Sequence, residues 1–138
     1  MLRLGRLISL KQVGALPIRG GKNSLQILLV TSRDTGRWVI PKGWPSKRMP
    51  DAAAAAREAR QEAGVTGKTS TKVCGSYRYR KIEMDRVRVI EVGVFIMRVR
   101  KEKKSWREKG QRQRAWFDRD EAARKVREPG LKTLIRRL

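Results

Sequence analysis

The chain has 138 residues, with 35 lysines and arginines against 13 aspartates and glutamates, so its formal net charge is +22. It has one cysteine and no histidine, which excludes an intrachain disulfide, histidine-based acid–base chemistry and histidine metal sites. No apolar run approaches the roughly 20 residues that a membrane-spanning helix needs. The basic N-terminus has no long apolar stretch followed by a cleavage site, so we predict no secretory signal, no membrane contact and a cytoplasmic location. The length predicts a single domain over residues 1–138, with residues 1–11 as a loosely ordered lead-in.

The large positive charge indicates which partners the protein would attract. A net charge of +22 favours polyanions, so phosphorylated metabolites and nucleic acid are the partner classes to consider. The alternative is a basic surface that is solvated and has no further role. The sequence contains no recognised nucleic-acid-binding motif, so any binding of nucleic acid is predicted to be nonspecific.

Taken in chain order, the residue pattern predicts a strand-rich chain with one helix in its first half and two at its end. The run LQILLVT at residues 25–31 is apolar at almost every position, which is typical of a strand buried on both faces. We therefore expect an α+β fold in which a mixed sheet lies between helical layers. The predicted strands are 12–18, 25–31, 38–40, 67–73, 77–82, 87–99 and 113–117, and the predicted helices are 51–63, 118–126 and 131–137.

The helix over residues 51–63 is the segment with the clearest chemical pattern. Asp51 stands at the expected N-cap, five alanines follow, and Gly64 stands where a left-handed C-cap belongs. Glu58, Gln61 and Glu62 are spaced i, i+3, i+4, so the sequence predicts that all three project from one side of the helix. Two carboxylates and an amide would then face the Gly- and Pro-rich loop that precedes the helix.

Residues 43–65 resemble the Nudix box, G-x5-E-x7-R-E-U-x-E-E-x-G-U, in which U is a bulky aliphatic residue. Two positions depart from that pattern, because Met49 and Gln61 stand where the box has glutamates. The flanking segments SRDTGRWVIPKGW and QRAWFDRDEAARKV resemble the diadenosine and diphosphoinositol polyphosphate hydrolase branch of the family. The residues that match the box are Gly43, Arg57, Glu58, Glu62, Gly64 and Val65.

This resemblance implies an α/β/α sandwich with a central mixed sheet. It also implies a hydrolase, dependent on Mg²⁺ or Mn²⁺, that cleaves a phosphoanhydride bond in an anionic phosphorylated small molecule. The classes implied are nucleoside polyphosphates and diphosphoinositol polyphosphates. Two carboxylates and a substrate phosphate are sufficient ligands for Mg²⁺, which keeps several of its waters.

The resemblance further implies roles for individual residues. Glu58, Glu62 and Gln61 would be metal ligands together with the backbone carbonyl of Gly43, and Glu58 would also activate water while Arg57 orients the glutamates. Gln61 has one carbonyl oxygen and no charge, so we expect its presence to weaken metal binding. The candidate substrate-binding residues are Ser32, Arg33, Lys42 and Trp44.

Several alternatives remain open at the level of the sequence. The chain could be a Nudix-fold module that binds a phosphorylated ligand or nucleic acid and whose catalysis was weakened or lost through Gln61. Any of Glu83, Asp85 and Glu91 could supply a further metal ligand or base, or could simply pair with neighbouring arginines. Met49 is expected to fill an apolar gap. The sequence is compatible with a monomer or a homodimer.

Overall fold

The computed structural model describes residues 8–138, apart from the side chains of residues 8 and 9. Residues 1–7 of the predicted lead-in therefore lie outside the described residues. The strands are β1 Ile8–Arg19, β2 Gln26–Thr31, β3 Trp38–Val39, β4 Lys42–Gly43, β5 Val65–Thr69, β6 Gly75–Glu83, β7 Arg86–Glu102 and β8 Arg114–Asp118. The helices are α1 Asp51–Glu58, which continues as a π-helical turn over Ala59–Ala63, α2 Arg119–Lys125 and α3 Pro129–Arg136.

Most of these elements were predicted from the sequence, but several bounds differ: β5, predicted at 67–73, spans Val65–Thr69, and the last helix, predicted at 131–137, spans Pro129–Arg136. β1 begins at Ile8, so residues 8–11 belong to the sheet rather than to a loose lead-in. The short strand β4 was not predicted, because two residues between prolines give no periodic signal. Asp51 is the first helical residue instead of the N-cap: Pro50 holds the cap position, and no side chain caps this helix. Gly64 does end the helix in the left-handed conformation, with φ of 67°.

The strands form one mixed sheet in the order β3-β2-β1-β7-β5. β1 pairs with β7 in parallel, from Ile8 opposite Arg88 to Ile18 opposite Arg98, and the other strand pairs are antiparallel. β6 also pairs with β7, β4 with β1, and β8 with β2. The long strand β7 and its partner β1 therefore form the centre of the sheet.

Helices cover both faces of this sheet, which confirms the predicted α/β/α arrangement. β2 contributes Leu28 and Val30 to the core under α1, and Ile27 and Leu29 to the core under α2 and α3. All four side chains are fully buried, as the unbroken apolar run predicted. Within residues 8–138, the structure contains no helix with the length and apolar character needed to span a membrane.

The small side chains of α1 and its π turn bring this helix close to the sheet. Ala54, Ala55, Ala59 and Ala63 have no solvent exposure and pack against the sheet, and Met49 packs at the edge of the same core. A larger side chain at one of these alanines would overpack the contact and cost about 1–3 kcal/mol. The close approach places the C-terminal half of the helix beside β4, where the candidate site lies.

Candidate active site

A cleft of about 550 Å³ opens beside the C-terminal half of α1. Its walls come from parts of the chain that are far apart in sequence: the turn 32–37, β4, residues 79–82 of β6, and the loop between β7 and β8. Charged side chains of both signs line it. The cations are Arg33, Arg37, Lys42, Arg80, Lys81 and Arg112, and the acids are Asp34, Glu58, Glu62, Glu108 and Glu128.

Glu58 and Glu62 form a carboxylate pair at the base of this cleft. Their side chains are only 14% and 6% exposed. Burial and the adjacent Glu58 carboxyl together raise the pKa of Glu62 to about 8, against the opposing effect of the Arg112 guanidinium. The backbone N–H of Lys42 donates to Glu62 Oε1 at 3.4 Å. In the absence of a cation, this pair therefore favours holding a proton, and a bound cation would favour its fully ionised form.

Gly43 is the reason that the Glu58 carboxylate can lie against the loop backbone. A Cβ atom at position 43 would stand 2.5 Å from Glu58 Cδ and 2.6 and 2.8 Å from its two oxygens. These distances are too short for real contacts, so any other residue would displace the carboxylate. The structure thus brings together three of the residues that the sequence assigned to a metal site: Glu58, Glu62 and Gly43.

Gln61, the fourth residue assigned to the metal, does not line the cleft. It lies in the π-helical turn Ala59–Ala63. A π turn has i to i+5 hydrogen bonds and is wider than an α-helical turn, so the residue at i+3 rotates away from the face that i and i+4 share. The i, i+3, i+4 argument assumed a regular α-helix, and the structure joins Glu58 with Glu62 but not with Gln61.

Arg57 also lies outside the cleft lining, but its guanidinium reaches Glu58. Arg57 Nη2 lies 3.9 Å from Glu58 Oε1, and the arginine side chain is 30% exposed. This long ion pair is consistent with the predicted orienting role, because it places a positive charge beside the carboxylate.

All four residues that the sequence assigned to substrate binding line the cleft: Ser32, Arg33, Lys42 and Trp44. Trp44 is 46% exposed, so an aromatic surface is free at the rim. Lys42 lies deeper, with its ammonium 5.1 Å from the centre of the Tyr79 ring. Burial lowers the pKa of Lys42, while Glu62 and Glu128 partly offset that effect.

The three acids considered as extra ligands are not part of the cleft lining. Glu83 pairs with Lys81 and Arg88, and Glu91 lies 3.7 Å from Arg78. Pairing with nearby cations is therefore what the structure shows for these two glutamates. No ion pair involving Asp85 is present in the described part of the chain.

Other residues of the cleft were missed by sequence reasoning. Glu108 and Arg112 come from the loop after β7, and Arg112 Nη2 lies 3.7 Å from Glu62 Oε1. Glu128 precedes α3, on the other helical layer, and pairs with Arg37 at 3.2 Å. In a chain with 35 basic residues, no charge pattern singles out Arg37 or Arg112, and only the fold brings them to the glutamates.

The donor set fits a hard divalent cation. The buried Glu62 carboxylate, the partly buried Glu58 carboxylate and the Gly43 backbone lie together, and Mg²⁺ prefers oxygen ligands while it keeps several waters. Within residues 8–138, no group of three or more His, Cys, Asp or Glu side chains is arranged to hold a metal. A cation at this place would therefore need waters or substrate oxygens to complete its coordination.

Comparisons with known proteins agree with this fold. Nudix hydrolase 4 from Arabidopsis thaliana is 34% identical over an alignment of 120 residues that covers 80% of this chain and 56% of that protein. The chain thus spans little more than half the length of this curated relative.

Solved structures are similar at the level of the fold. An Ap4A hydrolase binary complex from C. elegans aligns with a TM-score of 0.65 at 17% identity, over 92% of this chain and 93% of that one. A mutator MutT protein from Bacillus halodurans aligns with a TM-score of 0.66 at 18% identity, over 91% and 79%. The NUDIX domain model matches residues 9–138. This match covers nearly the whole chain, so the protein belongs to the NUDIX domain family.

Proposed function

We propose that this protein is a metal-dependent hydrolase that cleaves a phosphoanhydride bond in a nucleoside polyphosphate or diphosphoinositol polyphosphate. The observation that supports this most directly is the largely enclosed Glu58–Glu62 pair against Gly43, in a cleft that is also lined by six cations. The names of the relatives, a Nudix hydrolase and an Ap4A hydrolase, point to the same chemistry.

Different residues of the cleft would bind the metal ion and bind the substrate. Glu58, Glu62 and the Gly43 carbonyl would hold Mg²⁺ or Mn²⁺. When bound, that cation supplies neutralisation of the charge on the phosphoryl group and activation of water. Arg33 and Lys42 would bind the substrate phosphates, because guanidinium and ammonium groups donate charge-assisted hydrogen bonds to phosphate oxygens. Trp44 would offer its exposed ring to the rest of the substrate.

The proposed reaction is a hydrolysis. A water oxygen attacks phosphorus, its proton passes to a Glu58 carboxylate oxygen, and the P–O bond to the leaving phosphate breaks. Arg57, whose guanidinium lies 3.9 Å from Glu58 Oε1, would help the carboxylate keep its position as it accepts the proton. The leaving phosphate departs as an anion among the cleft cations.

A substrate panel with and without Mg²⁺ tests this proposal. We expect release of phosphate or a mononucleotide from at least one polyphosphate substrate, only in the presence of the cation. Glu58→Gln should remove most of this activity, since an amide can neither accept the proton nor offer charge to the metal. Glu91→Gln is the matched control, because Glu91 has the same chemistry but lies outside the cleft. Full turnover by a folded Glu58→Gln protein would contradict the assignment.

A second candidate function is a binding module on the same scaffold, with weak or lost catalysis. The small number of carboxylates favours this alternative, because no group of three or more His, Cys, Asp or Glu side chains within residues 8–138 is arranged to hold a metal. A wild-type protein that binds a nucleoside polyphosphate but does not hydrolyse it at saturating Mg²⁺ or Mn²⁺ would support the module over the enzyme.

A further inference from the structure

Arg112 is the most enclosed arginine of the cleft whose contacts the structure gives, with a side chain that is 12% exposed. Its guanidinium bridges three separate parts of the chain. Nε donates to Glu108 Oε1 at 3.0 Å, Nη1 donates to the Thr31 carbonyl at 3.1 Å, and Nη2 lies 3.7 Å from Glu62 Oε1. Because each of its three nitrogens has a protein partner, the guanidinium is restrained in position, and its positive charge is a fixed part of the site.

The loop that contains Arg112 is fastened to the π turn of the box helix. The Glu108 N–H donates to the Gln61 carbonyl at 3.0 Å, and the Lys103 N–H donates to the Gly64 carbonyl at 2.7 Å. Arg114 Nη1 donates to the Ala63 carbonyl at 2.7 Å. The backbone of residue 61 thus anchors the loop, while its side chain stays outside the cleft.

These contacts lower the net negative charge that the site would offer to a metal cation. The box helix contributes two carboxylates to the cleft, one of which, Glu62, is already shared with Arg112. The Glu108 carboxylate is also engaged, by Arg112 at 3.0 Å and by Arg33 at 3.7 Å. Of these three carboxylates, only that of Glu58 has no ion pair with a cation of this loop in the described part of the chain.

We propose that the Arg112 guanidinium is a permanent positively charged component of the metal site. Arg112 shares Glu62 with the bound divalent cation, limits the site to one tightly bound ion, and presents its guanidinium to the substrate phosphate in place of a second ion. This inference rests on the proposed function and assigns a role to a residue outside the box. Glu108 acts as a positioning residue, because it holds Arg112 and Arg33 on the same side of the cleft.

Binding of Mn²⁺ to the full chain without substrate tests the inference, with isothermal calorimetry and the electron paramagnetic resonance of free Mn²⁺ as readouts. We expect one tight Mn²⁺ per wild-type chain. Arg112→Gln removes a positive charge next to Glu62, so its Mn²⁺ affinity should rise roughly tenfold or a second tight ion should appear. The rate of hydrolysis should fall at the same time, because a contact to the phosphate is lost.

Two further variants separate charge from shape. Arg136→Gln is the matched control, since it removes the same charge from an exposed residue at the end of α3, away from the cleft. Its Mn²⁺ affinity should equal that of the wild type. Arg112→Lys keeps the charge but loses the planar fork, so it should retain the wild-type affinity while hydrolysis slows.

The outcomes distinguish this inference from the proposed function. Two or more tight Mn²⁺ ions on the wild type would overturn the inference even if Arg112→Gln does not fold. A folded Arg112→Gln variant that still binds a single tight Mn²⁺ with unchanged or weaker affinity would overturn the inference too, while hydrolysis by the wild type would leave the proposed function standing. Absence of both Mn²⁺ binding and hydrolysis in the wild type would overturn both.

Discussion

Gly43→Ala provides a sharp test of the site, because the structure gives the size of the perturbation. The new Cβ would stand 2.5 Å from Glu58 Cδ. Ordinary van der Waals contact begins near 3.4 Å, so the carboxyl group must move by about 1 Å. A misplacement of that size near reacting groups can lower the rate by about 100-fold. We therefore expect kcat to fall by about two orders of magnitude.

The fold should tolerate this substitution. The atoms that collide are at the far end of a flexible side chain, so we expect the free energy of unfolding to change by less than about 1 kcal/mol. The assay is kcat on the best substrate of the panel, with thermal unfolding measured on the same samples. Gly21→Ala is the matched control, because its Cβ would meet nothing closer than Ser24 Oγ at 3.8 Å. Normal kcat in folded Gly43→Ala would refute the placement of Glu58 against this loop.

Three other expectations concern charge. Gln61→Glu should change the half-saturating Mg²⁺ concentration by less than about twofold, because the side chain is outside the cleft lining; a several-fold fall in a Mg²⁺ titration would place residue 61 at the metal after all, as the box pattern predicts. Because the pKa of Glu62 is raised from 4.5 to about 8, the metal-free protein should lose stability as the pH rises through that window, and the gain in melting temperature from Mg²⁺ should grow with pH over the same window. A Mg²⁺ effect on melting that does not vary with pH would contradict this. The basic surface should bind duplex DNA without sequence preference, and if ~6 phosphates are neutralised the affinity should fall roughly 10³-fold between 50 and 200 mM salt; tight, sequence-selective binding at physiological salt would instead indicate a dedicated nucleic-acid function.

The box segment shows how far local sequence rules extend. Gly64 at the end of the helix and the buried run of β2 were both predicted correctly, because each depends on a few neighbouring residues. The same rules failed for Asp51, which lies one residue inside the helix. They also failed to place the Gln61 side chain, because no local sequence pattern indicates that the last turn of the helix is π-helical.

By itself, the sequence determined the mixed sheet between helices, the helix with Glu58 and Glu62 on one face, and the membership in the NUDIX family. Only the tertiary structure decided which other charged side chains lie near the Glu58 and Glu62 carboxylates. Arg112 and Glu128 come from segments that follow the box by about 50 and 65 residues along the chain, and they reach the cleft through the docking of a loop and the packing of α3. Secondary structure follows from the preferences of adjacent residues, whereas the position of a loop depends on hydrogen bonds and packing between distant ones. The composition of the cleft is therefore a property of the folded chain.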